Sequence, residues 1–380
     1  MTISERGEND HLANEAQQLH TEVYLKKRFI DPDQLDDRGI YTDEYTPRSE
    51  PILVKLGDKE TAVRMIHADK TDGILSLPTP KNFDIEPDAI KELAHVTRLS
   101  DLSHKDVVEI SGLASIRLEK GITPQESFDA TRQAYATALR LSLDQGHLLW
   151  TMNIEKGFKR QLTGLLGDKA IIQIGQQRQY IGPPTIPVAL NPQDVVESIL
   201  LDERPVISDE NRSDIQRAMN GVSEKYLSKK LIILLHAHGI ETTKEPLYSK
   251  LWAHKMTGLY ASIIGYSALR FLPVGAVDEF NGSVPVFAGI DIGTAITQVG
   301  SMELFFKGKH RAVRALGALG TGASFAAPYA YFWANGDDYP PYVNAIAGGF
   351  IALSAALETK KTLKDKKIRK GLEQTDASTV

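Results

Sequence analysis

The chain has 380 residues, 42% of them hydrophobic and 24% charged, a length that suits two or three modules rather than one ordinary domain. A formal net charge of −5 argues against nucleic acid as a partner. The absence of cysteine excludes disulfides, zinc ribbons, iron–sulfur clusters and a cysteine nucleophile.

Residues 1–15 are polar and read as a flexible N-terminus with no signal peptide, which keeps the following domain in the cytoplasm. Glu15 to Phe29 reads as a helix, and Pro51–Leu56 and Thr61–Ala68 as a strand pair around the turn Gly57-Asp58. Val96 to Leu99 reads as a short strand. Pro124 to Gln145 is a long amphipathic helix with Thr123 as N-cap, Glu126 completing a capping box and Gly146 as the stop. His147–Ile154 follows as a strand, Ile154–Leu166 as a helix, and Ala170–Ile174 and Thr185–Leu190 as strands. Residues 192–255 read as a helical linker, with helices at Val195–Asp202 and Asp214–Leu227. The run Leu231–Leu235 suits either a buried connector or an inner-leaflet contact.

Beyond Lys255 the character changes. Up to Ser249 there are 30 Lys and Arg against 39 Asp and Glu, whereas the remainder has 14 against 10. Four stretches, Met256–Val277, Val284–Phe306, Ala315–Ala334 and Tyr339–Leu357, hold few or no charges, and each matches the length that spans ~30 Å of hydrocarbon at ~1.5 Å per residue. Acidic connectors (Asp278, Glu279; Asp337, Asp338) alternate with basic ones (Lys307, Lys309, Arg311, Arg314; the tail from Lys360 to Lys370). This is the positive-inside order for four crossings with both termini cytoplasmic. The pattern predicts a membrane domain over 256–358, a basic cytoplasmic tail over 359–380, and an intramembrane ion pair between Arg270 and Asp291. The competing reading is a helical bundle buried within a soluble domain, since the stretches are rich in Gly and Ala rather than Leu.

Over residues 16–191 four segments carry a resemblance. They are Val23–Phe29 with Thr42–Ser49, Ala62–Ile66, His95-Val96-Thr97-Arg98-Leu99, and Ala138–Gly167 with Gln179–Val188. Their order resembles the GNAT acyltransferase superfamily, in the branch of acyl-homoserine-lactone autoinducer synthases and long-chain N-acyl amino acid synthases. There the second segment usually reads Val-Gly-x-x-Arg-Leu and the third Glu-x-Ser-Arg. The sequence departs from the branch at Tyr41, Thr46 and His95, and its stretch between Arg98 and Pro124 shows no glycine-rich pyrophosphate turn. The resemblance implies an α+β fold, a GNAT-like mixed sheet flanked by helices, to which the charge pattern adds an all-α transmembrane four-helix domain. It also implies N-acyl transfer from an acyl thioester, on acyl carrier protein or CoA, to a small amine such as an amino acid, with no permanently bound cofactor.

Such a reaction needs a base for the amine, donors for the oxyanion and a proton for the thiolate. His95, Asp43 and Glu44 are the candidate catalytic groups, and Arg28, Phe29, Arg64, Arg98 and Tyr180 the candidate substrate-binding groups. Tyr135 is a further proton-donor candidate, and His236-Ala237-His238 lacks the carboxylates of a metal site. The whole is a membrane-anchored N-acyltransferase of the cell membrane, whose amphipathic product would enter the lipid bilayer. A catalytically silent acyl-ligand sensor, for which His95 in place of Glu speaks, and a small transporter or channel with a regulatory domain are the alternatives.

Overall fold

The structure is a computed structural model. It describes residues 9–56, 59–117, 124–166, 170–180, 183–201, 209–244, 281–308, 311–336 and 341–373, with the single positions 258, 260, 261, 263 and 265. The chain forms two compact units, one of residues 1–245 with 365–380 and one of residues 246–364.

In the first unit, α1 (Asn9–Lys26) precedes β1 (Ser49–Leu56) and β2 (Lys59–His67), followed by α2 (Pro78–Asn82), α3 (Pro87–Leu93) and β3 (Val107–Arg117). Then come α4 (Pro124–Gln145), β4 (Leu149–Glu155), α5 (Lys156–Leu166), β5 (Ile172–Gln173), β6 (Thr185–Leu190), α6 (Pro192–Leu201), α7 (Asp209–Met219), β7 (Val222–Ser223), α8 (Lys229–Ala237) and β8 (Thr242–Thr243). The main sheet runs β1-β2-β3-β4-β6-β5, while β7 and β8 pair separately. Only β3 and β4 are parallel within the main sheet. A parallel pair needs a crossover, and the 22 residues of α4 supply it.

Alternation along the strands divides the apolar residues between two cores. Val63, Met65, Val108, Ile110, Trp150 and Met152 face one core with α4, α6 and α8, through Leu139, Val195, Leu231 and Leu235. Ile66, Val107 and Leu149 face the other with α2 and α3, through Leu77, Phe83 and Ile90. The run Leu231–Leu235 packs into this core through Leu231 and Leu235, while Ile233 and the preceding lysines are exposed. The first unit also continues past residue 191, because α6 and α8 belong to its core.

Long helix α4 and strand β6 coincide with their sequence-predicted bounds, although Thr123, the expected N-cap, lies outside the described residues. Gly146 ends α4 at φ +79°, and a Cβ there would meet the Tyr226 ring at 2.7 Å. The predicted strand Val96–Leu99 is absent. Those residues follow the end of α3, whose last turn closes with His95 at φ +52°, His95 N–H donating to Glu92 O and Val96 N–H to Lys91 O. This is a Schellman ending with a non-glycine residue in the left-handed position. The stretch that sequence reading left without structure, Val107–Arg117, forms the central strand instead.

The second unit contains α9 (Val284–Lys307), α10 (Arg311–Ala334) and most of α11 (Pro341–Glu373). Helices do form where three of the four membrane spans were expected, but among the described residues no helix is long and apolar enough to cross a membrane. The expected transmembrane four-helix domain is thus not supported. The reason lies in composition: α9 carries Asp291 and Glu303, α10 is built on Gly, Ala, Ser and Thr, and the second half of α11 is lysine-rich. Asp291 is buried, 1% exposed, but Arg270, its expected partner, lies outside the described residues, as do most of the first expected span and the connectors after it. The basic tail proves to be more than a tail. Ile368 and Leu372 enter the core of the first unit, Ile85 N–H donates to Leu372 O, and Lys367 and Arg369 pair with Asp72 and Asp88.

Candidate active site

Three strands bring polar residues to one sheet face. Arg64 lies opposite Ser111, Ile66 opposite Glu109, and Glu109 opposite Thr151. Period-two alternation therefore puts Arg64, Glu109, Ser111 and Thr151 on the same face. Near this face β2 shifts register between Ala62 and Arg64.

Arg64 makes a two-pronged pair with Asp43, Nη1 to Oδ1 at 3.0 Å and Nη2 to Oδ2 at 2.8 Å. Asp43 is fixed in its turn, accepting from Tyr45 N–H and Thr46 Oγ1, both at 3.0 Å. Burial alone would raise the Asp43 carboxyl, but the Arg64 guanidinium and the Thr46 hydroxyl outweigh it and hold the group below the usual carboxylate range.

Glu109 sits at the centre. It is 1% exposed, and its Oε2 accepts from Thr79 N–H at 2.7 Å and Thr151 Oγ1 at 3.3 Å, while Oε1 accepts from Asn153 Nδ2 at 3.4 Å. Burial pushes its carboxyl up to about 7, against the Thr79 and Thr151 donors and the charge of Arg64, which act the other way. Above it, Tyr180 stacks at 5.7 Å on Phe83 and accepts from Asn82 Nδ2 at 3.4 Å. Burial and the nearby Glu109 charge both raise the Tyr180 phenol, so it stays protonated across the physiological range.

Helix α1 closes one side. His20 donates from Nε2 to Gly112 O, and burial together with the Arg64 charge pulls its imidazole down to about 4, leaving it neutral. Gly112 adopts φ +62°, and a Cβ there would stand 3.1 Å from His20 Nε2 and 3.5 Å from the Tyr24 hydroxyl. The Tyr24 ring in turn meets Phe29 and Tyr41.

Of the residues expected from sequence, the structure brings Arg64, with its partner Asp43, and Tyr180 near Glu109, whereas Phe29 packs against the Tyr24 ring. Glu44 lies at the rim, bonded to Lys81 Nζ at 2.7 Å. Arg28 is exposed, at φ +57° in a Schellman ending of α1. His95 is exposed as well and pairs with Asp194 at 2.9 Å. Arg98 is buried at the start of the helical turn Leu99–Asp101, outside the sheet. Tyr135 lies in the opposite core. Sequence reading missed Glu109, and the signal was present: Glu109-Ile110-Ser111 fits the first three positions of Glu-x-Ser-Arg in a strand, with Gly112 at the fourth. Among the described residues no cluster of His, Asp and Glu is placed to hold a metal.

No protein-family model matches the chain, and no curated protein matches it. Among solved structures it is similar to the acyl-homoserine lactone synthase LasI, at 18% identity and TM-score 0.35, covering 48% of this chain and 84% of that one. It is also similar to BjaI, a CoA-dependent acyl-homoserine lactone synthase, at 14% identity and TM-score 0.35, covering 64% and 94%. A third is FeeM, an N-acyl amino acid synthase from uncultured soil microbes, at 15% identity and TM-score 0.32, covering 51% and 97%. Likenesses at these TM-scores do not establish a shared fold.

Proposed function

We propose that the first unit is an N-acyltransferase that moves an acyl group from a thioester, on CoA or acyl carrier protein, to a small amine, with Glu109 as general base. One observation carries this reading: a wholly buried carboxylate with a pKa of about 7 shares a sheet face with the fixed Asp43–Arg64 pair. A base is most effective when its pKa lies near the working pH. The resemblance of Val23–Phe29, Asp43, Ala62–Ile66 and Glu109–Ser111 to the autoinducer-synthase branch points the same way.

In this scheme Glu109 accepts a proton from the amine as nitrogen attacks the thioester carbonyl and the C–N bond forms. Collapse of the tetrahedral intermediate breaks the C–S bond, and the proton returns from Glu109 to the leaving thiolate. The products are an amide and a free thiol, and no oxidant or reductant is consumed. Tyr180, which remains protonated, would in this scheme donate to the oxyanion. The case for a silent sensor rested on His95 replacing a glutamate, and Glu109 removes that reason.

Incubation of the purified chain with long-chain acyl thioesters and a pool of amines, read by mass spectrometry, tests the reading. New N-acyl masses that fall at least ~100-fold in Glu109→Gln are expected. Equal turnover by Glu109→Gln would rule out its role as base, and no turnover by the native chain with any thioester would overturn the activity.

A further inference from the structure

The hairpin of α9 and α10 buries a few polar side chains among aromatic ones and exposes an apolar side. The two helices approach backbone to backbone: a Cβ on Gly317 would meet Phe305 N at 2.4 Å, and one on Gly320 would meet Ser301 Oγ at 2.5 Å. Their contact face buries Asp291, Ser301 and Ser324 beside Phe287, Phe305 and Phe325. The outward side is different. Each exposed position from Pro285 to Leu304 and from Ala315 to Ala334 carries an uncharged side chain or none. On it Ile292, Ile296, Leu316 and Leu319 stand 60 to 70% exposed, with Leu304 and Trp333 near half. A water-facing helix normally places its charges on that side, and large contiguous apolar patches mark a surface made for another phase or partner.

Charge identifies the occupant. Between Phe306 and Ala315 the sequence carries Lys307, Lys309, Arg311 and Arg314, and Lys361 Nζ lies 4.9 Å from the Phe306 ring centre. A basic end beside an uncharged face matches an anionic phospholipid surface, where headgroup phosphates attract Lys and Arg and apolar side chains settle ~5–10 Å into the acyl boundary. Gly289, Gly293 and Gly300 leave the α9 part of the face without the aromatic or arginine anchors that dominate protein interfaces, and Trp333 on α10 stands at the far end from the basic residues. We propose that the α9–α10 hairpin is a lipid-docking surface, lying along an anionic bilayer with its basic turn on the phosphates. Neither helix needs to cross for this, and neither is apolar enough to do so.

Flotation of the full chain with phosphatidylcholine vesicles, with and without phosphatidylglycerol, tests this independently of any enzymatic activity. The native chain is expected to float with the anionic vesicles and to lose at least about tenfold in binding on Leu316→Glu/Leu319→Glu. Lys307→Glu/Arg314→Glu should abolish the preference for anionic lipid while leaving residual binding to both vesicles. The milder Ile296→Ser, checked by circular dichroism, should weaken flotation without unfolding and guards against a folding artefact of the double variant. A native chain that stays at the bottom of both gradients overturns the proposal. So does a correctly folded Leu316→Glu/Leu319→Glu chain that floats as the native one does, or a native dimer that this variant converts to monomer with flotation unchanged.

Discussion

Thr79 and Glu109 are joined by a 2.7 Å hydrogen bond from backbone N–H to carboxylate, across 30 residues of sequence. The bond favours the ionised carboxylate, burial favours the neutral acid, and their balance leaves the group near neutrality. Thr151 adds a weaker donor at 3.3 Å.

Replacing Thr151 by Val removes that donor, so the Glu109 carboxyl should rise further. A base must be deprotonated to act, so the acid limb of the kcat/KM profile should move to higher pH in Thr151→Val. A limb that stays in place would show that the hydroxyl does not set the titration.

Glu109 also links stability to pH. Its folded pKa of about 7 exceeds the ordinary glutamate value of 4.5, so the folded state holds the proton more tightly. Stability from this group is fully present below pH 4.5 and is lost as pH rises through about 7, a difference on the order of 3 kcal/mol. Glu109→Gln should therefore be more stable than the native chain at pH 8 and gain little at pH 4, as urea titrations at the two pH values would reveal.

The Asp43–Arg64 pair is partly buried, with the two side chains 17 and 19% exposed. Asp43→Asn would leave the guanidinium without its carboxylate, at a cost of about 3 kcal/mol. Asp43→Asn/Arg64→Met should lose less than the two single changes together. Strict additivity in denaturant midpoints would mean that the pair contributes no coupling.

His95→Gly gives a direct check on two readings of the same residue. At the left-handed end of α3 glycine has no steric penalty, so the change should raise stability by up to about 1 kcal/mol, less whatever the exposed contact with Asp194 contributes. Acyl transfer should be retained. A large fall in turnover would return His95 to the active site.

Leu372 is fully buried in the core beneath α2 and α3. Leu372→Ala should cost about 2–5 kcal/mol. A thermal transition no lower than the native one would mean that the last turns of α11 are not part of this core.

Long periodic elements could be read directly from the sequence. Helix α4 announces itself by Pro124 at its start and Gly146 at its end, and β6 by an unbroken apolar run. Strand β3 was obscure because it is central: with both sides covered, its one carboxylate looks like an interruption in an apolar run rather than a site. Val96 and Thr97 are β-branched and imitate a strand, yet the backbone there is still leaving α3. In the C-terminal segment many lysines hid Ile368 and Leu372, whose four-residue spacing puts them on one helix face. Asp43 and Arg64 were each legible as candidate site residues, whereas their pairing and the packing of Tyr180 against Phe83 depend on tertiary contacts that no local pattern encodes.

The core under α2 and α3 has a consequence for biosynthesis. Asp72 and Lys367 are 295 residues apart, so a ribosome adding about 5–20 residues per second needs on the order of 15–60 s to deliver the second after the first. Throughout that interval Leu77, Phe83 and Ile90 await Ile368 and Leu372, and the segment that holds Thr79 against Glu109 reaches its final packing only as translation nears its end. The nascent protein thus emerges with the frame around Glu109 unfinished, and a chain stalled before residue 365 would expose an apolar surface to chaperones and proteases.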